Sequence, residues 1–217
     1  MIILLSAGPS FAQFPDLGKL MGNKTQDASK ASLQDLANTN KKAVGNYVNS
    51  MQSIALGLEK TASAFGIKNA VTDKLAVINS LQINNLSDAS ILKARQASQS
   101  IMDAIKAKMG EGSGMSKNSR MLFTQGIAAL ASNIKGLQGV ASGINNILPM
   151  AQGLLAGSTM QDKYKIQDII STVSLLSKNI PQDIKSSQGM FSMLGQYAQS
   201  QNISLTNEAV GLLKLIK

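Results

Sequence analysis

Phe123, Ile127, Leu130, Ile134, Leu137, Ala141, Ile144 and Leu148 alternate steps of four and three without a miss. Only an α-helix, at about 3.6 residues per turn, gathers such positions on one face. The spacing recurs along the chain. Leu33, Leu36, Asn40, Val44, Tyr47, Met51, Ile54, Leu58, Thr61 and Phe65 outline a first long helix from about Ala28 to Gly66, a residue suited to the position just past a helix end. Unbroken, it would reach about 60 Å. Gly45 and Gly57 are the expected places for it to bend or break.

Val71, Leu75 and Ile78 outline a shorter helix ending near Gln82. Ser87 or Asp88 then caps a third, with Ile91, Ala94, Ser98, Ile101, Ile105 and Met109 on its face and Gly110 closing it. Residues 110–116 (GEGSGMS) are poor helix formers and read as a hinge. The opening heptad is the fourth helix, which Pro149 is expected to end or kink. Thr159-x-x-Asp162 resembles a capping box for a fifth helix carrying Ile166, Ile169, Val173, Leu176 and Ile180. Pro181 suits the first turn of a sixth, with Asp183 beside its positive end and Ile184, Ser187, Phe191, Leu194 and Ala198 as its face. A last short helix carries Leu205, Ala209, Leu212 and Ile216 behind Ser204 as cap.

Composition agrees with an all-α fold. Apolar residues make up 44%, but aromatics only 4%, with no Trp and eleven Met, so the core must be built from Leu, Ile, Val, Ala and Met. Short connections favour antiparallel neighbours. The expected architecture is an elongated up-and-down bundle of five to seven helices with one long N-terminal helix. Residues 28–217 are expected to form a single domain containing the 110–116 hinge.

The first twelve residues resemble the second half of a secretory signal peptide. An apolar run, Ile2 to Leu5, leads into Gly8 and Pro9, and small residues at Ser10 and Ala12 precede a cut ahead of Gln13. The positively charged region that opens such a leader is missing, so its beginning is expected upstream of Met1. Residues 13–27, rich in Pro, Gly and polar side chains, read as a loosely ordered lead-in. The expected location is outside the cytoplasm, periplasmic or secreted.

The chain has 21 Lys and Arg against 12 Asp and Glu, a net charge of +9. The excess is spread evenly, +5 over residues 13–110 (12 basic, 7 acidic) and +4 over 111–217 (9 basic, 5 acidic). The longest basic run is Lys41-Lys42. A nucleic-acid binder concentrates its charge, so no nucleic-acid partner is expected; an anionic membrane surface stays open as a partner.

One segment departs from this pattern. The 41 residues between Arg120 and Asp162 carry a single charge, Lys135. Away from the heptad the fourth helix presents Ala128, Ala129, Ser132, Gly136, Gly139, Ser142, Gly143 and Asn146. Either another helix packs on this small-residue side, or the 121–157 hairpin leaves the bundle to meet a partner or membrane, with Gly139-x-x-x-Gly143 and Gly153-x-x-x-Gly157 allowing close contact. Gln138, Asn145, Asn146, Pro149 and Gln152 make it too polar for a permanent span. The candidate surface is Gly136, Gly139, Gly143, Ile144, Leu148, Leu154 and Leu155.

Catalytic chemistry finds little to work with. Without His or Cys there is no thiol and no base that titrates near neutrality unperturbed, and no cofactor or metal site is expected. Glu59, Glu111 and Glu208 are far apart. Ser90-x-x-Lys93 and Ser132-x-x-Lys135 lack the companion motifs of Ser–Lys hydrolases. Met190-x-x-Met193 alone has a spacing that brings two sulfurs together on a helix, and core filling is the expected role of the methionines. The sequence therefore points to an exported, non-enzymatic helical protein acting through a protein partner or as an envelope scaffold. A lipid-interacting protein using hairpin 121–157 is the alternative, and a carboxylate-dependent hydrolase the least supported.

Overall fold

The computed structural model describes residues 32–112 and 114–216, which form six α-helices and no strand. They are α1 (Leu33–Ala64), α2 (Thr72–Asn79), α3 (Asp88–Gly110), α4 (Lys117–Leu155), α5 (Met160–Ser200) and α6 (Asn207–Ile216). Short 3-10 turns at Lys68–Val71 and Ile83–Asn85 flank α2. The all-helical, up-and-down bundle expected from the spacing is the one observed. The leader at 1–12, the lead-in at 13–27 and the helical start near Ala28 lie outside the described residues.

A hydroxyl three residues ahead of an unpaired N–H starts most of these helices. Ser32 accepts the Asp35 N–H at 3.0 Å, and its own N–H and hydroxyl donate to the Asp35 carboxylate at 3.2 and 2.7 Å. These bonds hold the Asp35 carboxyl below its ordinary range. Ser87 caps α3 reciprocally with Ser90, and Ser116 and Thr159 accept the Ser119 and Asp162 N–H groups at the starts of α4 and α5. Thr206, rather than the expected Ser204, caps α6 by accepting the Ala209 N–H at 3.3 Å. At the other end of α1, Gly66 takes φ +72°. The Gly66 N–H reaches Ser63 O at 3.1 Å and the Ile67 N–H reaches Ala62 O at 2.9 Å, which closes the helix by satisfying its last carbonyls.

Pairs across the bundle fix the helix directions. Ser50 lies against Asn133, and Gly57 against Gly126, so α1 and α4 run antiparallel. Tyr47 meets Asp183 and Phe65 meets Tyr197, so α1 and α5 run parallel. Asp88 meets Lys178 and Arg95 meets Asp183, so α3 also runs with α5. Phe65, Phe123 and Tyr197, with ring centroids 5.5–5.9 Å apart, pin one end of α1, α4 and α5 together. One continuous core reaches from Leu36 to Leu213.

Three expected helix ends are absent, each for a physical reason. Gly45 and Gly57 do not interrupt α1, because Gly57 serves a close approach instead. A Cβ there would lie 2.8 Å from Leu130 Cγ and 3.0 Å from Gly126 O. Pro149 does not end α4, and Pro181 does not start a new helix but lies inside the 41-residue α5. Both prolines are exposed, as are Asn145 and Ser177, whose carbonyls lose the missing N–H, so the freed acceptors sit on the watered side. The apolar faces on either side of each proline stay buried in one core, which outweighs a penalty of about 3 kcal/mol.

The heptad of α4 also shifts. Phe123 through Leu137 and Ile144 are buried, but Ala141 and Leu148 are only half-buried, while Val140 and Ile147 are fully covered. A straight helix rotates about 20° per heptad against a strict seven-residue repeat. With α1, α5 and α6 all packed on α4, its buried face moves round by one residue.

Candidate functional site

The chemistry that the fold concentrates lies between α1, α3 and α5, not on α4. Asp183 is 2% exposed and stands on α5 amid apolar side chains. Burial pushes its carboxyl above the ordinary value of 3.8; Arg95 and Tyr47 oppose that shift by bonding to the ionised form. Tyr47 Oη donates to Oδ2 at 2.7 Å and Arg95 Nε donates to Oδ1 at 2.7 Å. Tyr47, itself fully buried, has its hydroxyl pushed far upward by that burial and by the facing Asp183 charge.

Arg95 spends its remaining donors on the same stretch of α5. Its Nη1 donates to Gln182 Oε1 at 2.8 Å, and its Nη2 reaches Asn179 Oδ1 at 3.2 Å and Asn179 O at 3.4 Å. Asn179 Nδ2 donates in turn to Asp88 Oδ1 at 2.8 Å, and Lys178 Nζ to Asp88 Oδ2 at 2.9 Å. The Asn179 bond, then the Lys178 bond, hold the Asp88 carboxyl below its usual range. The result is a polar clasp of three helices in which the buried carboxylate has its charge compensated. Beside it, the fully buried Ser187 hydroxyl has no protein partner and borders a void of about 10 Å³.

Along the same seam, one step toward the C-terminal ends of α3 and α5, the two helices part into an open groove of about 510 Å³. Met102 and Met190, both buried, and the half-buried Met193 form its floor. Lys106 and Lys185 stand at its edge, and neither makes an ion pair among the described residues. Asp103, also at the edge, is engaged by Gln99 Nε2 at 2.9 Å. Gly189 faces the groove with nothing within 4 Å of the place a Cβ would take. Gln182 belongs both to the groove and to the clasp, so Arg95 fixes the spacing of the groove walls.

The surface expected on α4 is dispersed by the fold. Gly136, Gly143 and Ile144 are buried, Leu148, Leu154 and Leu155 are half-buried against the core, and Gly139 is exposed with open space around it. The exposed positions of α4 include Gln125, Gln138, Ser142, Asn145 and Gln152, together with Gly139, Pro149, Gly153 and one large apolar side chain, Met121. No described helix is long and apolar enough to cross a membrane. Ser90 caps within the α3 start by donating to Ser87 O and Asn85 O, and Lys135 pairs with Glu208 at 2.6 Å. Glu59 pairs with Lys68 and Glu111 with Lys108, so the three glutamates sit in three separate pairs.

Sequence reasoning missed the clasp. Residues 166, 169, 173, 176, 180, 183, 187, 190 and 194 are all buried and alternate steps of three and four without a break. Carrying that period through Pro181 puts Asp183 on the seam beside Ser187, which the expected face of the sixth helix already includes. Met190 fills the core as expected, and Met193 packs half-buried against that core at the groove. The chain matches no protein-family model, no curated protein and no solved structure.

Proposed function

We propose that this chain is an exported, non-enzymatic helical protein that acts by binding a protein partner at its surface, within or as part of an envelope scaffold. The observation that carries this reading is the state of Asp183. Its carboxylate is the kind of buried, shifted acid that catalysis uses, yet Tyr47 and Arg95 occupy both oxygens and the side chain is 1% exposed. A group so engaged holds helices together and meets no substrate. The open surface left beside it is a groove between α3 and α5 with the half-buried Met193 at its floor and polar side chains at its edges, a form suited to a polypeptide. The lipid alternative draws no support from α4, whose exposed positions are mostly polar.

Affinity capture from envelope fractions with the full chain, followed by titration of each captured protein against the purified chain, tests the proposal. Saturable binding by a captured protein supports it. Failure of every captured protein to saturate overturns it. So does hydrolysis of a substrate panel that disappears on replacing Glu59, Glu111 or Glu208.

A further inference from the structure

We infer that the α3–α5 groove is a docking site for an acidic amphipathic helix of a partner protein. The inference deepens the surface-binding reading and rests on it. Four observations lead to this occupant. First, the walls are two parallel helices, and a third helix packs along such a pair by laying its ridges into their shared groove. The α5 wall runs from Gln182 to Met193, about 16 Å, which matches about three turns of a helix.

Second, the floor is the half-buried Met193, with Met102 and Met190, 1% and 4% exposed, packed beneath it. Thioether side chains are unbranched and polarizable and adapt to apolar knobs of differing shape, as promiscuous helix-binding grooves require. Third, the rim charge is positive on balance. Lys106 and Lys185 make no ion pair among the described residues and outnumber the one rim carboxylate, Asp103, which accepts a hydrogen bond from Gln99 and keeps its charge. Carboxylates flanking the apolar stripe of a visiting helix complement this rim and speed encounter with a chain of net charge +9.

Fourth, Gly189 sits deep inside α5, eleven residues before its end at Ser200, and its absent side chain meets no neighbour. Glycine there costs about 0.8–1 kcal/mol against alanine. Gly57, Gly126 and Gly195 each return that cost through a close contact; Gly189, like Gly139 and Gly211, does not, and of these three it alone lines the groove. What its missing side chain provides is room in the groove. The Arg95–Gln182 bond ties the two walls together at one end of the groove, which lowers the ordering that binding must impose there.

The test selects a displayed library of amphipathic helices on the full chain, with counter-selection on the Gly189→Leu variant. A leucine there fills the groove while favouring the helix, so the variant keeps or raises its melting temperature. The expected winners carry leucine-like anchors at i, i+3, i+4 and i+7 with Asp or Glu on the flanks. As synthetic peptides they lose affinity at least about tenfold for Gly189→Leu, a difference of about 1.4 kcal/mol. They also lose affinity for the double variant Lys106→Glu/Lys185→Glu, and Lys-for-Glu versions of the peptides regain affinity for that variant, which no folding defect would produce. The inference is overturned if no sequence is enriched, if the winners are basic, or if they bind Gly189→Leu unchanged. It is overturned equally if anionic vesicles, not peptides, sediment with the chain in a Gly189-dependent way. A partner captured alike by the native chain and by Gly189→Leu removes the groove while leaving surface binding in place.

Discussion

The α1–α4 and α3–α5 interfaces close the same bundle by opposite means. Where α1 crosses α4, side chains are removed: Gly57 and Gly126 let backbone meet backbone, Thr61 bonds back to Gly57 O at 2.8 Å, and one buried amide, Asn133, donates to Ser50 O at 2.7 Å. Where α3 meets α5, long polar side chains span the gap around a buried carboxylate, and the space beside them stays open. Backbone-to-backbone packing sets register and leaves no room for a ligand. An ionic clasp sets a spacing, and a groove survives next to it. The first interface should therefore respond to added volume, the second to lost charge.

The sharpest way to break the comparison is Arg95→Met. It leaves Asp183 buried beside only Tyr47, and removing one partner of a buried pair costs about 3–5 kcal/mol in urea unfolding. The pH dependence identifies the cause. Asp183 already titrates above 3.8 in the fold, and losing the guanidinium that opposed this shift raises it further. An acid with a raised folded pKa contributes stability that is present below its unfolded value and lost as pH rises through the folded one. The deficit of Arg95→Met against the native chain should thus be largest near pH 7 and shrink toward about pH 4.5. A deficit that is flat over this range would mean the clasp acts by packing alone.

Gly126→Ala tests the other interface. The new methyl would lie 2.8 Å from Gly57 O and closer still to Thr61 Oγ1, with backbone that cannot step aside. Overpacking of this kind costs about 1–3 kcal/mol, even though alanine favours the helix. The loss should not depend on pH between 7 and about 4.5, unlike that of Arg95→Met. Unchanged stability would show that α1 and α4 have slack where they cross.

What the sequence made legible follows from the same contrast. The α1 face, the closing turn at Gly66 and the α5 cap at Thr159 are local patterns of period and chemistry, and all three appear as expected. The clasp depends on partners 88 and 136 residues from Asp183, which no local pattern announces. Its one trace in the sequence is an acid on an otherwise apolar seam, which the helix boundary expected at Pro181 interrupts. Likewise the uncharged run of α4 is legible as composition, but which of its small residues are covered depends on α1, α5 and α6 surrounding it. Gly126 illustrates the limit best, since nothing in its neighbourhood separates it from Gly139, which faces open space.

An intermediate case separates backbone contact from side-chain contact. A Cβ on Gly195 would lie 2.5 Å from Leu213 Cδ2, so here glycine receives the end of a side chain from the short α6. Leu213 can change rotamer where Gly57 O cannot move. Gly195→Ala should cost about 1 kcal/mol, at the low end for overpacking, and loosen α6 before the rest of the bundle. Faster amide exchange confined to residues 207–216 would register this. Exchange raised equally in α1 would show that α6 is not separable from the core.

The smallest effect expected is a gain. Gly189 has neither backbone nor side chain to receive a methyl, so Gly189→Ala adds helix propensity without a clash. The chain should gain about 0.8–1 kcal/mol in urea unfolding, much of it from the more confined unfolded state of alanine. The three glycines then form a series, from a loss against backbone through a smaller loss against a movable side chain to a gain against open groove. A loss at Gly189 would mean that the α3–α5 walls sit closer together than the Arg95 clasp holds them, and the contrast between a closed interface and an open one would collapse.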